Sequence, residues 1–99
     1  MPDRIACCVP FCRRTCRNDS GFAEWICGKH WALVSKTTKR RRRLADRARE
    51  RANRRFEQQY RDQDGCTESQ LNRALAATDL SAALWRRCKR EAIERAMGL

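Results

Sequence analysis

Histidine is the scarcest reactive residue in this chain of 99: there is one, His30. A hydrolytic scheme that needs one histidine as general base and another on a divalent cation is excluded if His30 is already engaged elsewhere. Proline is almost as rare, with two residues and none after Pro10. Nothing beyond that point interrupts a helix by removing an amide donor. No apolar run approaches the ~20 residues that cross a bilayer. The opening Met1-Pro2-Asp3-Arg4 lacks the apolar stretch of a signal peptide. Aromatic residues make up 7% and are expected in the core, which weighs against binding single strands by base stacking. Acidic residues are scarce too, 12 against 23 basic ones, leaving a net charge of +11.

Cysteine, by contrast, is abundant. Seven is an odd number, which argues against a fully paired disulfide framework. The chain is expected in a cytosol, where thiols stay reduced and clustered cysteines hold metal. Four residues fit such a role: Cys7 and Cys12, spaced C-x4-C, then Cys27 and His30, spaced C-x2-H, with a polar loop between the pairs. Thiolate and imidazole are the ligands that tetrahedral Zn²⁺ prefers, and two close pairs joined by a loop build a closed structural site. Cys8 and Cys16 remain alternatives for the first pair. Val9-Pro10 suits a tight bend between Cys7 and Cys12, and Trp25, Ile26, Trp31 and Leu33 are expected to cover the cluster.

The positive charge is concentrated. Residues 36–61 carry twelve basic and three acidic side chains, whereas residues 62–99 balance six against six. Such asymmetry speaks of partners rather than of fold. The periodicity predicts one long basic helix over 36–62 and a second over 68–97, with Asp64-Gly65 as the break and the short Asp62–Cys66 connection favouring an antiparallel hairpin. Thr67 is placed as N-cap with Gln70 in capping-box spacing, and Gly98 follows the end. On a helical wheel Leu44, Ala45, Ala48, Ala52 and Phe56 share the apolar side. Lys36, Arg40, Arg43, Arg47, Arg51, Arg54 and Arg61 occupy a separate arc, and Asp46, Glu50 and Glu57 a third. In the second helix Leu71, Leu75, Ala82, Trp85 and Ala92 form the expected stripe, with Leu80, Leu84 and Cys88 beside it. The turn-forming Asn18-Asp19-Ser20-Gly21 is expected at the tip of a short hairpin within the knuckle, residues 5–32.

The runs Cys7-Cys8-Val9-Pro10-Phe11-Cys12 and Trp25-Ile26-Cys27-Gly28-Lys29-His30-Trp31 resemble small zinc-binding proteins of phages and prophages. Many of these carry C-x-V-P-x-C and C-x2-H-[W/Y] pairs in a knuckle similar to the treble clef of His-Asn-His endonucleases. The resemblance covers about the first third of the chain and implies Cys7, Cys12, Cys27 and His30 as ligands. Phe11 stands where glycine is frequent in the pattern, and Cys8 and Cys16 are additions. It also implies a bacterial host's cytoplasm as the setting.

These readings converge on one expectation: a single domain, 1–99, that is mainly α, with a treble-clef-like zinc knuckle followed by an antiparallel two-helix hairpin. With the lone histidine spent on metal, the chain is expected to be non-enzymatic. Lys36, Arg40, Arg43, Arg47, Arg51 and Arg54 are expected to contact the phosphates of a nucleic acid, DNA or RNA. The alternative is an adaptor or inhibitor that binds a host protein complex through Leu80, Leu84 and Met97. A homodimer is compatible with either.

Overall fold

The computed structural model describes residues 3–62 and 68–99, and it is mainly helical. The expected break at Asp64-Gly65, the Thr67 cap and Cys66 lie outside the described residues. Strand β1 (Arg4–Ala6) pairs antiparallel with β2 (Thr15–Arg17), in register Arg4↔Arg17, Ile5↔Cys16 and Ala6↔Thr15. A four-residue helix α1 (Gly28–Trp31) follows, then the long helices α2 (Lys36–Asp62) and α3 (Glu68–Ala96). The described chain divides into two compact units. One holds residues up to Ser35 together with 87–99, and the other holds 36–86, so α3 contributes to both.

In the first unit the strand pair is displaced from the expected hairpin. The Asn18–Gly21 turn exists, but it is closed by the Asn18 side chain rather than by a ladder. Asn18 Nδ2 donates to the Phe22 carbonyl at 2.8 Å and its Oδ1 accepts from the Phe22 amide at 2.9 Å. Gly21 takes φ +70 there, a conformation that costs glycine nothing. The ladder instead frames residues 7–14. The Cys7 amide donates to the Arg14 carbonyl at 3.0 Å, and the Cys8 amide to the Trp25 carbonyl at 2.9 Å. Val9, Ile26 and Val34 are buried, as are Cys88 and Ala92 of α3. Trp25, Trp31 and Leu33 are only half-buried. Glu91 ties this unit together: it accepts from the Ser35 amide at 3.0 Å and pairs with Arg87 and Arg95.

Both long helices lack glycine and proline and are rich in alanine and arginine, strong helix formers. At its end α3 closes in a Schellman arrangement. Gly98 at φ +78 lets the Leu99 amide reach the Glu94 carbonyl at 2.8 Å while its own amide donates to Arg95 at 3.2 Å.

The sheltered stripes of these helices differ from the expected ones. In α2 the positions withdrawn from solvent include Thr38, Arg42, Ala45, Arg49, Ala52, Phe56 and Gln59, alternating four and three apart. In α3 they include Gln70, Ala74, Ala77, Ser81, Leu84 and Cys88, with the same alternation. This alternation marks one sheltered seam along each helix. Apart from Phe56 and Leu84 it is filled by small and polar side chains, whereas Leu44, Leu71, Leu75 and Leu80 are 40–53% exposed. Ala48 and Ala82 face solvent as well. The large apolar residues mislead because the buried positions of the seam are held by small side chains: Thr38, Ala45, Ala74 and Ser81. Within the second unit Ser81 donates to Asp46, Arg42 pairs with Asp46 at 3.7 Å, and Arg42 lies 4.8 Å over the Trp85 ring. The aromatic residues are not all committed to the core either: Phe11 is 98% exposed and Phe22 66%.

The seam generates a contrast. Ala45→Leu is expected to destabilise the protein by about 1–3 kcal/mol through overpacking. Leu44→Ala, its neighbour on the exposed side, is expected to stay within about 0.5 kcal/mol. Urea denaturation followed by circular dichroism checks both. Equal costs would remove the distinction between seam and surface.

Candidate metal centre and basic surface

Cys7 leaves β1, and Cys12 sits at the far side of a turn in which the Cys12 amide donates to the Val9 carbonyl at 3.2 Å. The strand pair brackets both and fixes their separation. Cys27 is the N-cap of α1, and His30 lies on its single turn, so both donors face the same point. The parallel bridge Cys7↔Trp25 carries the second pair against the first.

The donor atoms of Cys7, Cys12, Cys27 and His30 all lie within 4.8 Å of one another. Cys12 Sγ is 3.9 Å from Cys27 Sγ, and His30 Nδ1 is 3.7 Å from Cys7 Sγ and 3.2 Å from Cys27 Sγ. A tetrahedral Zn²⁺ with ordinary bond lengths would set sulfur–sulfur edges of about 3.8 Å and sulfur–nitrogen edges of about 3.6 Å. The four residues are therefore close enough to bind a metal ion, in an arrangement compatible with zinc. Cys8 and Cys16, open alternatives on spacing alone, are not part of the cluster.

The electrostatics favour a thiolate at the centre. Burial acts to raise the Cys27 thiol, but it is outweighed by the His30 amide, by the Cys7 and Cys12 thiols and by the Lys29 amide, so Cys27 is held below the ordinary cysteine range. None of these is an ordinary capping bond to α1, but the amides face the sulfur and stabilise negative charge. Burial raises the Cys7 thiol, countered in part by the Cys27 amide, which donates to Cys7 Sγ at 3.3 Å. Cys8, half-buried beside the Lys89–Glu24 ion pair, is raised first by burial, with Lys89 pulling the other way. A proton-bearing Cys8 suits a packing role.

The six cations expected on one arc, Lys36, Arg40, Arg43, Arg47, Arg51 and Arg54, are all exposed on α2. Among the described residues the ion pairs involve Arg17, Arg42, Arg87, Lys89 and Arg95, and none of these six. Arg40, Arg43 and Arg47 surround a shallow depression with Leu44. Further along, Arg51, Arg55 and Arg73 border a groove of about 360 Å³ floored by Ala52 and Phe56. Arg55 and Arg73 extend the basic surface beyond the arc, a continuation that a wheel drawn for one helix does not reveal. No described helix is long and apolar enough to cross a membrane. Comparison with protein-family models, curated proteins and solved structures finds no match.

The ligand set has a direct test. Co²⁺ titrated into the reduced protein is expected to give the intense visible bands of a tetrahedral thiolate site. These bands should persist in Cys8→Ser and Cys16→Ser but collapse in Cys27→Ser and His30→Ala. Collapse in Cys8→Ser with retention in Cys27→Ser would refute the assignment.

Proposed function

We propose that this chain is a zinc-stabilised, non-enzymatic nucleic-acid-binding protein that grips phosphates with the arginine face of α2. The supporting observation is that six cations stand exposed on one helix and none is in an ion pair among the described residues. From Lys36 to Arg54 the row extends about 27 Å at 1.5 Å per residue. That length matches roughly eight base pairs of duplex at 3.4 Å each. Arginine predominates, and its planar fork suits phosphate oxygens and guanine edges alike.

The zinc would be structural in this reading. Three thiolates and an imidazole complete a tetrahedral shell and leave no position for substrate water. With His30 in the shell, no second histidine is available as a base. The strand-bracketed cysteine turn and the ligands on a short helix support a treble-clef-like knuckle. An antiparallel hairpin is supported by contacts that run in opposite directions: Asp46 meets Ser81, while Arg42, one turn earlier, meets Trp85, one turn later.

A second reading, a host protein or second copy as partner, has its own observation. Leu71, Leu75 and Leu80 of α3 are 40–53% exposed, and Met97 is 56% exposed, although Leu84 is half-buried and drops out of the expected patch.

Fluorescence anisotropy with duplex DNA and structured RNA, titrated with salt, distinguishes these readings. Reversing charge at Arg43, Arg47 and Arg54 to glutamate should lower affinity about tenfold or more and flatten the log–log salt slope by about three. Unchanged affinity and slope would overturn the proposal. Salt-tolerant capture of one protein, lost in Leu75→Ser or Leu80→Ser, would favour the second reading.

A further inference from the structure

Phe11 combines two properties that rarely coincide. It is 98% exposed, the most exposed of the large apolar residues, and its backbone sits at φ +66. The left-handed region costs a residue with a β-carbon about 1–2 kcal/mol. For a bulky aromatic side chain such an outlier calls for an explanation. Burial does not supply one, because almost none of the ring is covered. The turn between Cys7 and Cys12 imposes the conformation, and glycine would adopt it without strain.

The surroundings of the ring are cationic. Phe11 borders a broad, open cleft of about 750 Å³ that is also lined by Pro10, Arg13, Arg14, Lys29 and Met97, with no acidic residue in its wall. Arg13, Arg14 and Lys29 are exposed, and among the described residues none of them is in an ion pair. A solvent-facing ring that shares a cleft with three cations presents both elements of single-strand recognition: a π-face for a base and positive charge for the phosphates beside it. A duplex has its bases stacked and unavailable to such a ring.

We propose that Phe11 is a stacking platform for one unpaired base of a single-stranded nucleic acid, with Arg13, Arg14 and Lys29 holding the adjoining phosphates. The proposal rests on the nucleic-acid reading above and deepens it. The knuckle would recognise an unpaired nucleotide, by a contact separate from the phosphate-binding face of α2. The same cleft could attract an acidic polypeptide, but a protein partner gains nothing specific from an isolated ring raised above three cations, whereas a nucleobase does.

The test uses the full-length, metal-loaded chain. A single-stranded oligonucleotide carrying 2-aminopurine is titrated, and stacking on Phe11 is read as loss of its fluorescence beyond that of the free strand. Phe11→Ala is expected to weaken single-strand binding about 5- to 150-fold, the range for one stacked base, and to abolish the additional quenching, while duplex affinity stays unchanged. Phe11→Trp is expected to retain both, and Phe11→Gly, which relieves the backbone, to behave as alanine does. The cobalt spectrum confirms that the knuckle is intact in each variant. Equal single-strand affinity in Phe11→Ala and wild type overturns the proposal, as does a matching loss on duplex. Binding of poly-glutamate that depends on Phe11, with no response to oligonucleotides, also overturns it by assigning the patch to an acidic protein. Failure of the α2 reading is recognised separately: duplex binding is then insensitive to charge reversal at Arg43, Arg47 and Arg54.

Discussion

The mutual approach of four ligand atoms is the constraint on which the N-terminal unit depends. Three cysteine sulfurs and one imidazole nitrogen converge within 4.8 Å, at a place where two of the cysteines are nearly sealed from solvent. Three thiolates at that separation repel strongly in a low-dielectric site, and each would need a proton or a cation to remain. A bound Zn²⁺ turns the repulsion into attraction and adds about 10–16 kcal/mol of binding energy that doubles as folding energy. The apolar alternative is modest. Among the described residues the largest fully buried side chains are Thr38, Cys27 and Cys88, and no leucine, phenylalanine or tryptophan is fully buried. At about 1.5–3 kcal/mol for each large side chain that could have been buried and is not, hydrophobic burial alone is a weak organiser here. The strands are three residues each and α1 is a single turn, lengths that do not persist without a tether.

The helical unit solves a different problem. α2 carries most of the net charge of the chain and still has to pack. It does so by giving its seam to alanine, threonine, Phe56, Gln59 and two half-sheltered arginines, and by turning most of the remaining cations outward. Arg42 illustrates how a charge is accommodated at such a seam. Its guanidinium lies over Trp85 and beside Asp46, which itself accepts from Ser81. One cation–π contact and one short polar relay replace what would otherwise be an unpaired charge in a partly dry setting.

How much of this was legible in the sequence follows from the range of each interaction. The Cys/His cluster was legible because each ligand pair is local: four residues lie between Cys7 and Cys12 and two between Cys27 and His30, and the chemistry of the donors narrows the rest. The mainly helical character was legible because long stretches lack glycine and proline. The choice among Cys7, Cys8 and Cys16 was settled only by the strand pair. Arg4-Ile5-Ala6 and Thr15-Cys16-Arg17 are too short to show a two-residue alternation, so that pair left no signal. The seam was misread because large apolar residues were taken to mark the interior. Leu44 and Leu75 contradict this, and Ala45 and Ala74 occupy the buried places. The four-three spacing of alanine was present in the chain, but alanine is common on every helix face and carries little information by itself. Phe11 was missed for a related reason: its departure from the usual glycine was visible, but its left-handed backbone and bare ring are properties of the folded turn.

The excess charge has a thermodynamic meaning beyond the surface it decorates. Twelve basic and three acidic residues within 36–61 mean that cations repel one another along a single helix, at (i, i+3) and (i, i+4) separations where like charges oppose helix formation by a few tenths of a kcal/mol per pair. Arginine and alanine offset this through intrinsic propensity, and the seam adds packing, yet the exposed row from Lys36 to Arg54 remains a store of repulsion among cations of which none is in an ion pair among the described residues. A polyanion laid along that row would neutralise the repulsion and gain phosphate contacts at the same time. It would bind the folded helix better than the unfolded chain, because only the helix presents the cations in register. Ligand and fold would then stabilise each other by mass action. The feature that makes α2 costly to fold alone is therefore the feature that would give a nucleic acid its grip, and the same electrostatic term would link the stability of this unit to its occupancy.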